Sequence, residues 1–186
     1  MRSSVCINST WFQSNNKRFR IKTFEALEEV LPPRDRNDFI YNNKRVLPET
    51  DPVQRLWDIY CKYGANIDPE SEISERRRFI KYPTLVAIHD KNLMKSYDKS
   101  LTKCVVGGAW VDVNKIRTGL LHIVVEKQYR GLGIGSELLK ETEKYFKGHI
   151  HKLKCEWREQ GGCNQKEFFT RNGWSVTEEN RATKYL

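Results

Sequence analysis

The stretch Gln128-Tyr129-Arg130-Gly131-Leu132-Gly133-Ile134-Gly135-Ser136 decides the fold. Ahead of it, Gly119 to Val125 is an apolar run with strand character; behind it, Ile134 to Lys147 is amphipathic at helical spacing. Ile134, Leu138, Thr142, Tyr145 and Phe146 share one face of that helix, and Gly148 stands where a glycine closes one. A strand, a glycine-rich turn and a helix make an anion site. The first helical N–H groups have no intrahelical acceptor, and the helix dipole favours negative charge there. Glycine permits positive φ and close approach of a phosphate to the main chain, and Ser136 adds a hydroxyl. Gly131-x-Gly133-x-Gly135 lacks the final gap of the dinucleotide fingerprint, and no Gly-Lys-Ser/Thr closes it as in a P-loop. The competing reading is a tight turn whose glycines serve helix–strand packing.

Upstream, the pattern predicts a half-buried strand at Phe19 to Phe24, a short helix over Glu25 to Leu31, and a polar loop over Asn37 to Thr50. Asp51-Pro52 opens a helix carrying Val53, Leu56, Trp57 and Tyr60 and ending at Gly64; a further helix is expected over Glu70 to Lys81. Strands follow at Thr84 to Ile88 and Cys104 to Val113, separated by a polar connection, Lys91 to Lys103. Gly107-Gly108 inside the second of these predicts a bulge or a close backbone approach. Downstream, Ile150 to Trp157 reads as a strand, and Asn164 to Asn172 as a short helix with Asn164 at its cap and Glu167 three residues on. Trp174 to Val176 and Ala182 to Leu186 make two terminal strands.

The chain has 186 residues, 38% of them apolar, which suits one folded α/β domain over residues 1–186. The polar segment Met1 to Asn16 has no apolar signal core and is expected to be flexible. With no run long enough to span a bilayer, no membrane partner and a soluble cytoplasmic protein are expected, as monomer or homodimer. Five scattered cysteines without a CxxC pair read as reduced thiols. The formal charge of +9 suits an acidic partner, nucleic acid or cofactor phosphates, as well as it suits a merely basic surface.

The run from Val124 to Leu139 resembles the GNAT N-acetyltransferase superfamily. The family's acetyl-CoA motif, Arg/Gln-x-x-Gly-x-Gly/Ala, is matched by Arg130, Gly133 and Gly135, and Val124-Val125-Glu126-Lys127-Gln128-Tyr129 resembles the end of its fourth strand. The likeness is strong from about Val105 to Trp174. It implies an α/β (α+β) GNAT fold: a central mixed, twisted sheet of about six to seven strands flanked by helices, splayed between the fourth and fifth strands. By this resemblance the amides of Gly131, Gly133, Gly135 and Ser136 hold the pyrophosphate of acetyl-CoA or another acyl-CoA. Main-chain groups of Ile123 and Val125 pair with the thioester carbonyl and the pantetheine arm, which fills the splay like an added strand. Asn164 is the nearest match to the family's pantetheine-binding Asn, two residues closer to the end of the helix than usual.

The implied activity is direct transfer of an acetyl group to a primary amine of unknown class. The amine must lose a proton, the carbonyl must be polarised and the leaving thiolate must be stabilised. The family's tyrosine acid falls four residues before a Gly-aromatic pair, here Gly173-Trp174, and the matching residue is Phe169, which has no proton to give. For the base, Glu126 ranks first and Asp112 second. His122, whose residue type titrates near neutrality, ranks below Glu126 because it points opposite to Ile123 into the sheet. Cys163 and Thr170 read as packing or surface residues, and His149, His151 and Cys155 as buried strand residues rather than metal ligands; no metal is expected. Arg76-Arg77-Arg78 and Lys17-Arg18-x-Arg20 would suit a nucleic-acid-linked amine. The rival reading is a catalytically inactive GNAT-like module that binds CoA or nucleic acid.

Overall fold

The structure, a computed structural model, describes residues 6–14, 17–24, 52–63, 83–89, 104–114, 117–157 and 164–186. The helices expected at 25–31 and 70–81, the connections at 37–50 and 91–103, Cys163 and the Arg76-Arg77-Arg78 run lie outside the described residues. The described strands are β1 (Cys6–Ser14), β2 (Lys17–Phe24), β3 (Thr84–His89), β4 (Val105–Val113), β5 (Thr118–Val125), β6 (Lys152–Glu156), β7 (Ser175–Thr177) and β8 (Arg181–Tyr185). The helices are α1 (Pro52–Tyr63), α2 (Ile134–Phe146) and α3 (Gln165–Arg171). All the strands join one sheet in the order β1-β2-β3-β4-β5-β6-β8-β7. Only β5 and β6 run parallel; the other pairs are antiparallel.

β1 corrects the reading of the N-terminal segment. Its sequence is polar, and Phe12 supplies the main inward anchor, stacked on Phe19 at 5.2 Å. Thr10 adds a hydroxyl bond to the buried Glu141 carboxylate on α2 at 3.0 Å. Register with β2, rather than hydrophobicity of its own, makes this segment a strand.

The sheet is covered on both faces, and the strand period sorts its side chains between two cores. On one face Leu85, Ala87, Val106, Ala109, Val111 and Leu121 pack with Leu138, Leu139 and Phe146 of α2 and with Phe169 of α3. On the other, Val86, Ile88, Val105, Trp110 and Val124 pack with Val53, Leu56, Trp57, Ile59 and Tyr60 of α1. Burial on both faces explains why β3 reads as a continuous apolar run.

Gly107-Gly108 serves both expected purposes. The β3–β4 register slips between Ala87 and Ile88, which pair with Gly107 and Val105, so Val106 is the extra residue of a bulge. A Cβ on Gly107 would lie 2.5 Å from the Val124 carbonyl oxygen. One on Gly108 would lie 2.4 Å from both the Leu85 carbonyl oxygen and a Leu56 methyl. The glycines let α1 and β5 close onto β4. Gly108→Ala is therefore expected to destabilise the fold by about 3 kcal/mol, a fall in Tm of roughly 6–12 °C. Thermal denaturation checks this; an unchanged Tm would contradict the close approach.

Candidate active site

The site begins where two strands part. β5 pairs with β6 only at Thr118–Lys152, Gly119–Leu153 and Leu120–Lys154, yet β5 continues to Val125. The Glu126 amide donates to the Val106 carbonyl at 2.8 Å, so main-chain groups of the even-numbered residues face β4. Those of Ile123 and Val125 then face the opening. Arg130 Nε donates to the Val125 carbonyl at 3.0 Å and anchors the turn to the strand end.

The turn itself is tightly specified. Lys127–Tyr129 forms one 3₁₀ turn, with the Tyr129 amide bonded to the Glu126 carbonyl at 2.9 Å. Gly131 and Gly133 then take φ of +76° and +77°, and a Cβ on either would meet nothing within 4 Å. Backbone conformation, not crowding, requires glycine at these two positions. Gly133 caps α2, and its carbonyl accepts from the Glu137 amide at 3.1 Å. The preceding amides of Ile134, Gly135 and Ser136 are the first-turn donors that have no acceptor within the helix. Gly135 differs from the other two: its Cβ would sit 3.0 Å from the Phe168 ring, so this glycine also sets how closely α3 approaches α2.

The opening leads into one cavity of about 1200 Å³. One wall is Leu121 to Val125 of β5 and the glycine turn; the opposite wall is Cys155, Glu156, Trp157, Asn164, Phe168 and Phe169. Tyr60 and Tyr63 of α1, Tyr129, and Glu167, Arg171, Glu179 and Arg181 also line it. That volume slightly exceeds the upper range for small-ligand pockets, about 1000 Å³, and suits a long ligand.

Residues 84–176, half of the chain, match the family model of the acetyltransferase (GNAT) domain. The chain belongs to the GNAT acetyltransferase family. Among solved structures, an aminoglycoside 6′-N-acetyltransferase complexed with coenzyme A aligns over 78% of this chain and 93% of its own, at 14% identity and a TM-score of 0.52. Rv2747 from Mycobacterium tuberculosis, in complex with CoA and NLQ, covers 69% of each chain at 20% identity and a TM-score of 0.50. A GNAT acetyltransferase from Staphylococcus aureus Mu50 covers 72% of this chain and 92% of its own, at 14% identity and a TM-score of 0.52. At these identities the likeness shows the fold. No curated protein sequence matches the chain.

Within this GNAT domain, Ile123, Val125, Arg130, Gly131, Gly133, Gly135, Ser136 and Asn164 all line the cavity. Asn164 is also occupied as the cap of α3. Its Oδ1 accepts from the Glu167 amide at 3.0 Å, and its Nδ2 donates to the Glu167 carboxylate at 3.2 Å. The other end of α3 closes as a Schellman motif around Gly173, with φ of +74°. The Trp174 amide donates to Phe169 and the Gly173 amide to Thr170, each at 3.0 Å.

The two carboxylates stand apart from the cavity wall. Glu126 is buried, with one oxygen 3.0 Å from Arg55 Nη2 of α1 and the other 3.1 Å from Gln128 Nε2. It ties α1 to the end of β5. Asp112 sits opposite Leu120, at the far end of the β4–β5 pairing from the turn. His122 is on the wall instead: it does point to the α1 side, stacked on Trp110 at 4.9 Å, and still borders the cavity. Tyr60 meets His122 edge-on at 6.1 Å. Tyr60 and Tyr63 were missed because helical spacing assigns Tyr60 to the α1 core stripe and gives no sign that the stripe's end borders the opening. His149 and His151, read as buried, lie exposed ahead of β6. Among the described residues no cluster of ligating side chains is placed to hold a metal.

Phe169 is fully enclosed, stacked on Trp157 at 5.3 Å and tilted against Trp174 at 5.2 Å. Trp157 is half-buried and faces the cavity. Tyr129 is held above its ordinary pKa by burial first, then by the negative charges of Glu126 and Cys104, so it faces the cavity as a neutral phenol. Burial pushes the Cys155 thiol up to about 12, with the Glu156 charge adding to it. Thiolate is the reactive form. At pH 8, alkylation of Cys155 is expected to be at least about 100-fold slower than that of the exposed Cys61. Peptide-resolved labelling with iodoacetamide checks this, and comparable rates would contradict it.

Proposed function

We propose that the protein transfers the acetyl group of acetyl-CoA directly to a primary amine. One observation carries this: a splayed strand edge and the amide-rich start of α2 open into the same cavity. In this reading the pyrophosphate sits on the amides from Gly131 to Ser136, and Arg130 adds positive charge. The pantetheine arm runs along β5 and takes up the main-chain groups of Ile123 and Val125. Coenzyme A in the aminoglycoside 6′-N-acetyltransferase and Rv2747 structures supports the ligand class.

His122 is the proposed proton acceptor, replacing Glu126 and Asp112, because it alone of the three borders the cavity. The ammonium acceptor gives His122 a proton. The free amine attacks the thioester carbonyl, a strand amide of β5 faces the oxyanion, and the C–S bond breaks to release CoA thiolate; the nitrogen's second proton replaces the one that a tyrosine gives to that thiolate. Phe169 cannot protonate that thiolate; Tyr60 or Tyr63, on the other wall, takes the role. No acyl-cysteine intermediate is needed, in keeping with the protonated state of Cys155. The second reading, a binding module without turnover, is favoured only by Phe169.

Coenzyme A at a hundred times its Kd is expected to stabilise the protein by about 2.7 kcal/mol, raising Tm by roughly 5–11 °C. Gly133→Ala is expected to lose most of that shift. A shift without thiol release from acetyl-CoA, over a panel of small amines, peptides and amine-bearing oligonucleotides, would favour the module. With an accepted amine, His122→Gln is expected to lower turnover by about 100-fold or more while keeping the CoA shift. Glu126→Gln is expected to lower Tm more than turnover. The reverse pattern in steady-state kinetics would return the base to Glu126.

A further inference from the structure

Trp11 is one of the few large apolar side chains left exposed, at 38%. It stands on β1 directly opposite Arg20 of β2. The Arg20 guanidinium carbon lies 3.5 Å from the centre of the indole ring, and that of Arg18 lies 4.2 Å from it. The strand period puts Lys22 on the same face as Arg18 and Arg20, and Lys17 on the other, where its ammonium lies 6.0 Å over Tyr129. Arg20 Nε is buried and has no hydrogen-bond partner, the only such side-chain atom among the described residues. Buried donors are rarely left so.

Arg20 and Lys22 pair across β2–β3 with Ile88 and Val86, residues of the core beneath α1. The stripe therefore lies on the α1 face of the sheet, the face on which His122 borders the cavity. Its arginines and Lys22, on β2, are three strand spacings from β5, about 14 Å, and Trp11, on β1, is four, about 19 Å. Arg130, beside the ring of Tyr63, lines the cavity, and Arg55 of α1 engages Glu126 at the end of β5.

Planar guanidinium groups stacked on an exposed indole are suited to two ligand features at once. They pair with phosphate oxygens, and their planes and the ring accept unpaired bases. A carboxylate-rich protein would use the charges but leave the exposed ring without a matching partner. We infer that the Trp11, Arg18, Arg20 and Lys22 stripe is a docking surface for single-stranded nucleic acid. Such a strand, once docked, presents a linked amine to the cavity on the same face of the sheet. The docking claim itself does not rest on the acyl-transfer reading.

The test is fluorescence anisotropy of labelled oligo(U) and oligo(dT) with the full chain, across a salt series. Three phosphate contacts give a slope of log K on log salt of about −2. Arg18→Ala and Lys22→Ala are each expected to reduce that slope by about 0.7. Trp11→Ala is expected to weaken binding roughly tenfold, with Trp11→Phe retaining most of it. Each variant should keep the wild-type CoA shift, which separates loss of docking from loss of fold. Absence of binding at low salt would overturn the proposal, as would affinity unchanged in both Trp11→Ala and Arg18→Ala. Preference for polyglutamate over the oligonucleotides would overturn it in favour of an acidic protein partner. A failed CoA shift alongside intact oligonucleotide binding would defeat the acyltransferase reading and leave the docking surface standing.

Discussion

Beyond Leu120, β5 has a neighbouring strand on one side only. Main-chain donors and acceptors left unpaired inside a protein cost free energy, and a bare strand edge is a template for whatever can pair with it. The rest of the site maintains that edge. α1 and α2 hold β5 from its two faces through separate cores. Gly107 allows β4 to lie close beside it, and Gly108 lets α1 close onto β4. Arg130 fixes the last carbonyl of the strand and Arg55 the carboxylate that follows, so the glycine turn leaves β5 in one direction.

Binding and chemistry are built by different parts of this scaffold. The features that would hold a CoA are main-chain groups, set by two left-handed glycines and a helix terminus, and are insensitive to most side chains. Chemistry needs side chains, and the wall facing β5 sets aromatic Trp157, Phe168 and Phe169 among charged groups, Glu156, Glu167, Arg171, Glu179 and Arg181. On the α1 side His122 and Tyr60 share an aromatic cluster with Trp110. The two halves can therefore change independently, and the exchange of a tyrosine for Phe169 leaves the glycine turn intact.

The sequence made the central part of the fold legible because its signals are local. The Gly131–Ser136 run, the helical stripe behind it, the Asn164 cap and the Gly173 stop are each specified by neighbours within a turn or two. The GNAT resemblance added the splay, which no local pattern encodes. β1 was not legible, because its stability comes from register with β2 and a hydroxyl bond to Glu141, both distant in sequence. Glu126 looked available because a carboxylate at a strand end usually faces water; the arginine that engages it is on α1, 71 residues away. His122 was rightly read as pointing away from Ile123. That it nonetheless borders the cavity follows from the position of α1, which the pattern of β5 cannot carry.

The central claim is that the open edge of β5 and the start of α2 together hold coenzyme A. Amide hydrogen exchange with and without coenzyme A tests it most directly, because main-chain groups are the proposed contacts. The expected result is slowed exchange concentrated at Leu121 to Val125 and Gly131 to Ser136, with little change at β1 and β2. Coenzyme A that leaves both segments exchanging as in the free protein, or protects only some other part of the chain, would contradict the account.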